Sequence, residues 1–168
     1  MSPSRSPSRS AVPRPKFDSL EQEVFLHLWR TYDRLKLFEE DVFGQVGLSA
    51  QQYNTLRLLR SVHPAPMPTL ELGSRLISRA PDMTRMLDRL EQRGLLSRER
   101  RKENRRVVEV SITPQGLKLL DEIQESVQEC HTRQLGHLSK KSLGQLVELL
   151  KAARRPHEDV ENLSFVDE

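Results

Sequence analysis

The apolar period changes once, abruptly, between residues 83 and 112. Met83, Met86, Leu87 and Leu90 fall at i, i+3, i+4 and i+7, the spacing of a single helix face. Gly94 follows, a residue able to take the left-handed conformation that stops a helix. Beyond it Leu95 to Glu99 can form a strand, and Arg101 to Arg105 is a charged tip. Val108, Val110 and Ile112 then alternate with Val107, Glu109 and Ser111 as a returning strand. A helix that runs through a glycine stop into a β-hairpin leaves few folds open.

The rest of the chain reads as helix. Asp18 or Ser19 can cap a long first helix over about 19–43, because a short side-chain oxygen accepts from an orphan backbone N–H. Its apolar residues include Leu20, Val24, Phe25, Leu28, Trp29, Tyr32, Leu35, Phe38 and Val42, and Gly44 and Gly47 end it. Ser49 with Gln52 forms a capping box for a second helix, about 50–61, with Tyr53, Leu56 and Leu59 inward. Three prolines between His63 and Thr69 forbid a helix there, so this stretch is read as a connector. Thr69 is expected to cap a short third helix, about 70–77, with Leu72 and Leu76 inward. Ser78-Arg79-Ala80 is read as a tight turn, and Pro81 suits the first position of a fourth helix. Thr113-Pro114 opens a fifth helix over about 114–136, and Ser139 caps a sixth over about 140–153.

The expected fold is mainly α with a small β-hairpin wing, a winged helix-turn-helix. Its expected organisation is a disordered basic tail (1–17), an N-terminal dimerisation helix (18–48), a winged helix-turn-helix lobe (49–113), C-terminal dimerisation helices (114–153) and an acidic tail (154–168). Residues 1–16 are Ser, Pro and Arg with almost no apolar content, which cannot bury enough surface to order a segment. Leu163, Phe165 and Val166 could dock the other end.

Charge is uneven. The net balance is only +3, but residues 79–106 hold ten Arg or Lys against five acids. The tail 154–168 holds two Arg against five acids. A basic centre suits a polyanion, and a solvated charged face is the plainer explanation of the same numbers. Order decides between them. Two helices joined by a turn of about three residues set the second one up to enter the major groove of double-stranded DNA. Thr84, Arg85, Asp88 and Arg89 lie off the apolar stripe of that second helix. Arginine suits guanine edges and phosphates because its planar fork carries paired donors. The candidate DNA-binding residues are Arg79, Thr84, Arg85, Arg89, Lys102, Arg105 and Arg106. Arg89 has no acid three or four positions away, so it either meets phosphate or takes a partner from another element. Lys102 and Arg105 are divided between DNA contact and a solvated tip.

The stretch from Arg79 to Leu96 (RAPDMTRMLDRLEQRGLL) resembles the recognition helix of the MarR family, the multiple-antibiotic-resistance-type regulators. Asn104 to Gly116 (NRRVVEVSITPQG) is similar to the family's wing and following strand. The resemblance covers roughly residues 19–153. It implies a triangular homodimer whose N- and C-terminal helices form the dimer layer, each subunit presenting a winged helix to half of a near-palindromic operator. It also implies that Thr84 and Arg85 enter the major groove, that Arg106 reaches the minor groove, and that repression by blocking polymerase is the usual mode, with activation as the alternative. One position departs from the pattern. The family wing usually has an acid two residues before the arginine, and Asn104 stands there, able to accept a hydrogen bond without a carboxylate's charge assistance. Arg106 is therefore expected to be held less firmly. The alternative from another class is a winged-helix protein-interaction module; such modules usually lose the basic face that this chain keeps.

Other chemistry is poorly supported. No Ser-His-Asp grouping, paired-carboxylate cleft or Gly-rich phosphate loop stands out, so no enzyme activity and no cofactor are expected. Cys130 is the single cysteine, so no intrachain disulfide forms, and it is read as a packed thiol. Cys130 and His137 share a helix face but lack a third ligand on it, so no metal is expected. Trp29, Tyr32 and Tyr53 are either plain core or the lining of an effector cavity, and the resemblance implies small phenolic or lipophilic effectors. With 36% apolar and 30% charged residues and no run of about 18 apolar residues, the chain is expected to be soluble, without a membrane partner, and cytoplasmic. Arg5 and Arg9 have no apolar stretch behind them, so no secretory signal is expected.

Overall fold

The computed structural model describes residues 17–77 and 82–157. Among these it contains α1 (Leu20–Gln45), α2 (Ala50–Val62), β1 (Met67–Pro68), α3 (Thr69–Arg75), α4 (Met83–Gln92), β2 (Leu96–Arg100), β3 (Val108–Ile112), α5 (Pro114–Leu135) and α6 (Lys140–Arg154), followed by a 3-10 turn at Arg155–His157. The chain divides into two compact units, residues 1–34 and 35–168. The expected turn at Ser78-Arg79-Ala80, Pro81, the two tails and the docking trio at 163–166 lie outside the described residues, apart from Phe17 and 154–157.

In the first unit the helix start is fixed by side chains. The Ser19 hydroxyl accepts from the Gln22 N–H at 3.2 Å, and the Gln22 side chain accepts from the Asp18 N–H at 2.7 Å. These bonds to the start of the helix satisfy donors that a helix leaves orphaned. The apolar residues of this unit stay in solvent: Leu20, Val24, Phe25, Trp29 and Tyr32 are each at least half exposed. Phe25 and Trp29 lie one turn apart with their rings 6.2 Å apart.

The second unit has its own core. Leu56 and Leu59 from α2, Leu72 from α3, Leu87 and Leu90 from α4, Leu96 from β2 and Val110 from β3 are almost fully buried together. Phe43 from α1 and Leu120, Ile123 and Val127 from α5 complete it. The capping box of Ser49 and Gln52 starts α2 as expected. The Thr113 hydroxyl accepts from the Gly116 N–H and donates to the Gly94 carbonyl at 2.6 Å, joining the start of α5 to the end of α4. Two glycines are required there. Gly94 has φ +68°, which ends α4. A Cβ on Gly116 would sit 2.2 Å from the Leu95 carbonyl oxygen, so only glycine lets α5 approach so closely.

Four details differ from the expectation. The wing is a three-stranded antiparallel sheet, order β1-β3-β2, not a lone hairpin. The proline-rich connector supplies the extra strand, Met67 pairing with Val110 and Pro68 with Glu109. Proline suits this place, since it forms an edge where its missing N–H breaks no ladder. That pairing draws Thr69 against β3, and its hydroxyl donates to the Val108 carbonyl at 3.0 Å. Thr69 therefore lies inside α3 and does not cap it; Pro68 occupies the cap position without a side-chain bond. The start of α4 differs too: the Asp82 carboxylate, not a first-turn proline, is the cap seen among the described residues. Finally, α6 extends to Arg154 and its 3-10 turn to His157, into the segment read as a tail. No residue of α6 is buried, and Val147 and Leu149 are exposed. Among the described residues no helix is long and apolar enough to cross a membrane.

Candidate nucleic-acid interface

The apolar stripe of α4 does what its spacing requires: Met86, Leu87 and Leu90 are buried and Met83 is half-buried. The stripe fixes the rotation of the helix, so Thr84, Arg85 and Arg89 face solvent. Arg85 and Arg89 border a polar concavity of about 260 Å³ between α4 and the start of α2, lined also by Ser49, Gln51, Gln52, Asp82 and Met86. Asp82 acts twice here. One carboxylate oxygen accepts from the Arg85 N–H at 3.1 Å, capping α4, and the other lies 3.0 Å from Arg85 Nε.

The cations of the basic centre sort into two groups by what holds them. Arg93 donates to the Gly47 carbonyl at 2.6 Å and the Val46 carbonyl at 2.9 Å, pinning the end of α4 to the turn before α2. Arg98 on β2 donates to Asp88 at 2.5 Å and to Glu91 at 2.6 and 3.0 Å. Those hydrogen bonds, Glu91 foremost, push its pKa above the ordinary guanidinium value. Arg101 is paired with Glu109 across the sheet. In contrast Arg89, Lys102, Arg105 and Arg106 are exposed and carry no ion pair among the described residues. An internal pair, the competing role for Arg89, is not present among those residues.

At the wing tip the Asn104 side-chain oxygen accepts from the Arg106 backbone N–H at 3.1 Å. Its amide therefore shapes the loop, while the Arg106 guanidinium is left to solvent. The Arg101 N–H donates to the Val107 carbonyl, closing the loop at 3.0 Å. Lys102 and Arg105 project from the same tip, exposed. Arg79, the remaining candidate, lies outside the described residues.

Two residues that organise this face do not stand out in the sequence. Asp82 carries the signature of a helix cap, a short acid just before an apolar run, and Pro81 beside it carries a competing signature. Arg98 counts only as one more positive charge until the sheet places it beside two acids of α4.

The aromatic candidates are divided between the two units. Trp29 borders a groove of about 540 Å³ within the first unit, with Phe17, Leu26, His27, Arg30 and Asp33. Tyr32 is 66% exposed and does not line it. Tyr53 belongs to the second unit and stacks on Phe43, ring centroids 4.4 Å apart, with burial pushing its pKa up. Cys130 is 2% exposed, and burial likewise raises its thiol pKa. No group of three or more His, Cys, Asp or Glu side chains able to hold a metal exists among the described residues.

Comparison with known proteins gives a consistent picture. The MarR family model matches residues 48–108, from just before α2 to the start of β3. A MarR transcription factor from Planctomyces limnophilus is 58% identical, covering 82% of this chain and 99% of that one, with a TM-score of 0.64. The HTH-type transcriptional regulator MhqR of Bacillus subtilis is 29% identical over 101 residues, 60% of this chain and 68% of that protein. A mutant MarR from E. coli, solved in complex with operator DNA, shares the fold at 23% identity and a TM-score of 0.69, covering 80% of this chain and 94% of that one. With its three-stranded wing, its exposed basic α4 and these relatives, the chain belongs to the MarR family of transcriptional regulators.

Proposed function

We propose that this regulator binds double-stranded DNA as a homodimer, reading an operator through Thr84 and Arg85 and gripping its backbone or minor groove through the wing. The observation that carries the reading is the division among the cations. Arg93, Arg98 and Arg101 are consumed by internal bonds, while Arg89, Lys102, Arg105 and Arg106 face solvent on α4 and the wing tip without partners among the described residues. Four uncompensated cations on one lobe attract phosphate strongly. Arg79 is assigned to DNA contact from its place in the sequence alone. The E. coli relative, solved with operator DNA, lends support through the shared fold.

The homodimer rests on apolar exposure. Phe25, Trp29 and Tyr32 of the first unit are each more than 60% exposed, and α6 of the second unit buries nothing. Such faces call for a partner, and a second copy supplies it with the two-fold symmetry that a palindromic site requires. Dimerisation is assigned to segments 18–48 and 114–153. Occupying the operator would exclude polymerase, which makes repression the mode, in the cytoplasm. The groove beside Trp29 is offered to a small aromatic or lipophilic effector that releases the DNA.

Fluorescence anisotropy with labelled duplex at several salt concentrations tests the DNA reading. Binding should weaken with salt, with a log–log slope of about −0.9 for each phosphate neutralised. Absence of duplex binding at low salt would return the chain to a protein-interaction role.

A further inference from the structure

The ion pair of Asp82 with Arg85 is oriented in a way a helix cap alone does not require. A cap needs one oxygen, and the Asp82 carboxylate spends it on the Arg85 N–H at 3.1 Å. Its second oxygen lies 3.0 Å from Arg85 Nε, against the inner edge of the guanidinium. Arg85 is largely exposed and Asp82 about half exposed, so the pair adds little to stability in water. What it changes is presentation. A guanidinium offers paired donors on two kinds of edge, one using Nε and one terminal nitrogen, the other using both terminal nitrogens. A carboxylate oxygen 3.0 Å from Nε repels any outside acceptor from that edge, which leaves the terminal pair as the open one.

We propose that Asp82 is a specificity-determining positioning residue, which holds Arg85 to an end-on presentation matched to the two acceptors of guanine, O6 and N7. This rests on the proposed DNA reading. Two physical consequences follow. Fixing a long side chain before binding removes part of the ordering cost that a free arginine would bear, which strengthens the matched interaction. The carboxylate also places a negative charge at the edge of the interface, which repels phosphate and lowers affinity for sequences that offer no guanine in reach. Asp82 thus raises discrimination from both sides, favouring the right base and penalising the wrong register.

The test uses the full chain and a duplex library with randomised positions, sequenced before and after binding. Asp82→Asn keeps an oxygen for the cap and removes the charge. Asp82→Ser keeps the cap and cannot reach Nε. Both should retain wild-type helicity by circular dichroism. Both should lower guanine preference at the base pair that Arg85→Ala erases, by about fivefold, while affinity for random duplex rises or holds. Loss of guanine preference without loss of random-duplex affinity is the signature, since a residue serving only as a cap would lower both together. Unchanged guanine preference in both variants, or parallel loss of specific and random binding, overturns the role of Asp82. If Arg85→Ala itself erases no preference, the DNA reading of α4 fails first, and the two failures are thereby told apart.

Discussion

The Arg98 guanidinium, carried on β2, places its Nη2 2.5 Å from the Asp88 carboxylate on α4, and Glu91 of the same helix takes its other edge. The sheet and the helix are therefore joined by charge as well as by apolar packing. Glu91 also accepts from the Arg98 backbone N–H at 3.1 Å, so the acid holds both the strand and its side chain.

Arg98→Ala should destabilise the chain by about 1–2 kcal/mol, the scale of hydrogen bonds to charged groups reduced for the partial exposure of both acids. It also leaves two carboxylates one turn apart without their cation. Urea unfolding followed by circular dichroism reads the change as a lower midpoint. An unchanged midpoint would mean that packing alone joins β2 to α4.

Much of the fold is legible in the residues themselves, and the misses have physical reasons. The rotation of α4 is set by four apolar residues at helical spacing, so its solvent face can be read directly. The capping box of Ser49 with Gln52 and the stop at Gly94 are local, and local chemistry is visible in sequence. β1 is hidden because two residues, Met67 and a proline, carry no period; only pairing with Val110 and Glu109 makes them a strand. Thr69 looks like a cap for the same reason, since its true partner, the Val108 carbonyl, is 39 residues away. The partition of arginines into structural and free ones depends on bonds across elements, which charge counting cannot see.

Dimerisation has a simple measurement. Light scattering should give about twice the chain mass of 19.5 kDa at micromolar concentration. Phe25→Asp, placing a charge on the exposed apolar face, should shift the population toward monomer and weaken operator binding with it. A wild-type monomer would contradict the homodimer.

Trp29 is the sole tryptophan, so its fluorescence reports on one place. If the groove beside it takes an effector, a small aromatic acid such as benzoate should quench that emission and weaken duplex binding over the same concentration range. Quenching without an effect on DNA would assign the groove no regulatory role.

Cys130 should be silent at neutral pH. The thiol is buried, and desolvation raises its pKa, with Glu39 and Asp41 adding to the rise and Arg133 opposing it. Iodoacetamide should modify it only after unfolding. The sign of the stability effect follows from linkage. The unfolded thiol ionises near its ordinary pKa of about 8.5, while the folded one still holds its proton, so stability falls as pH rises through that value. Cys130→Ala should lose less stability than the wild type between pH 7 and pH 9.5, as measured by urea unfolding.

The most direct measurement compares Arg85→Ala with Arg106→Ala on a duplex selected by the wild-type chain and on random duplex, each at several salt concentrations. Arg85→Ala should cost about 1–3 kcal/mol on the selected duplex and relax the preference at one base pair in each half-site. Arg106→Ala should weaken both duplexes alike and flatten the salt slope by about one unit for each phosphate it no longer neutralises. If Arg85→Ala remains folded and binds the selected duplex as the wild type does, α4 is not the element that reads DNA.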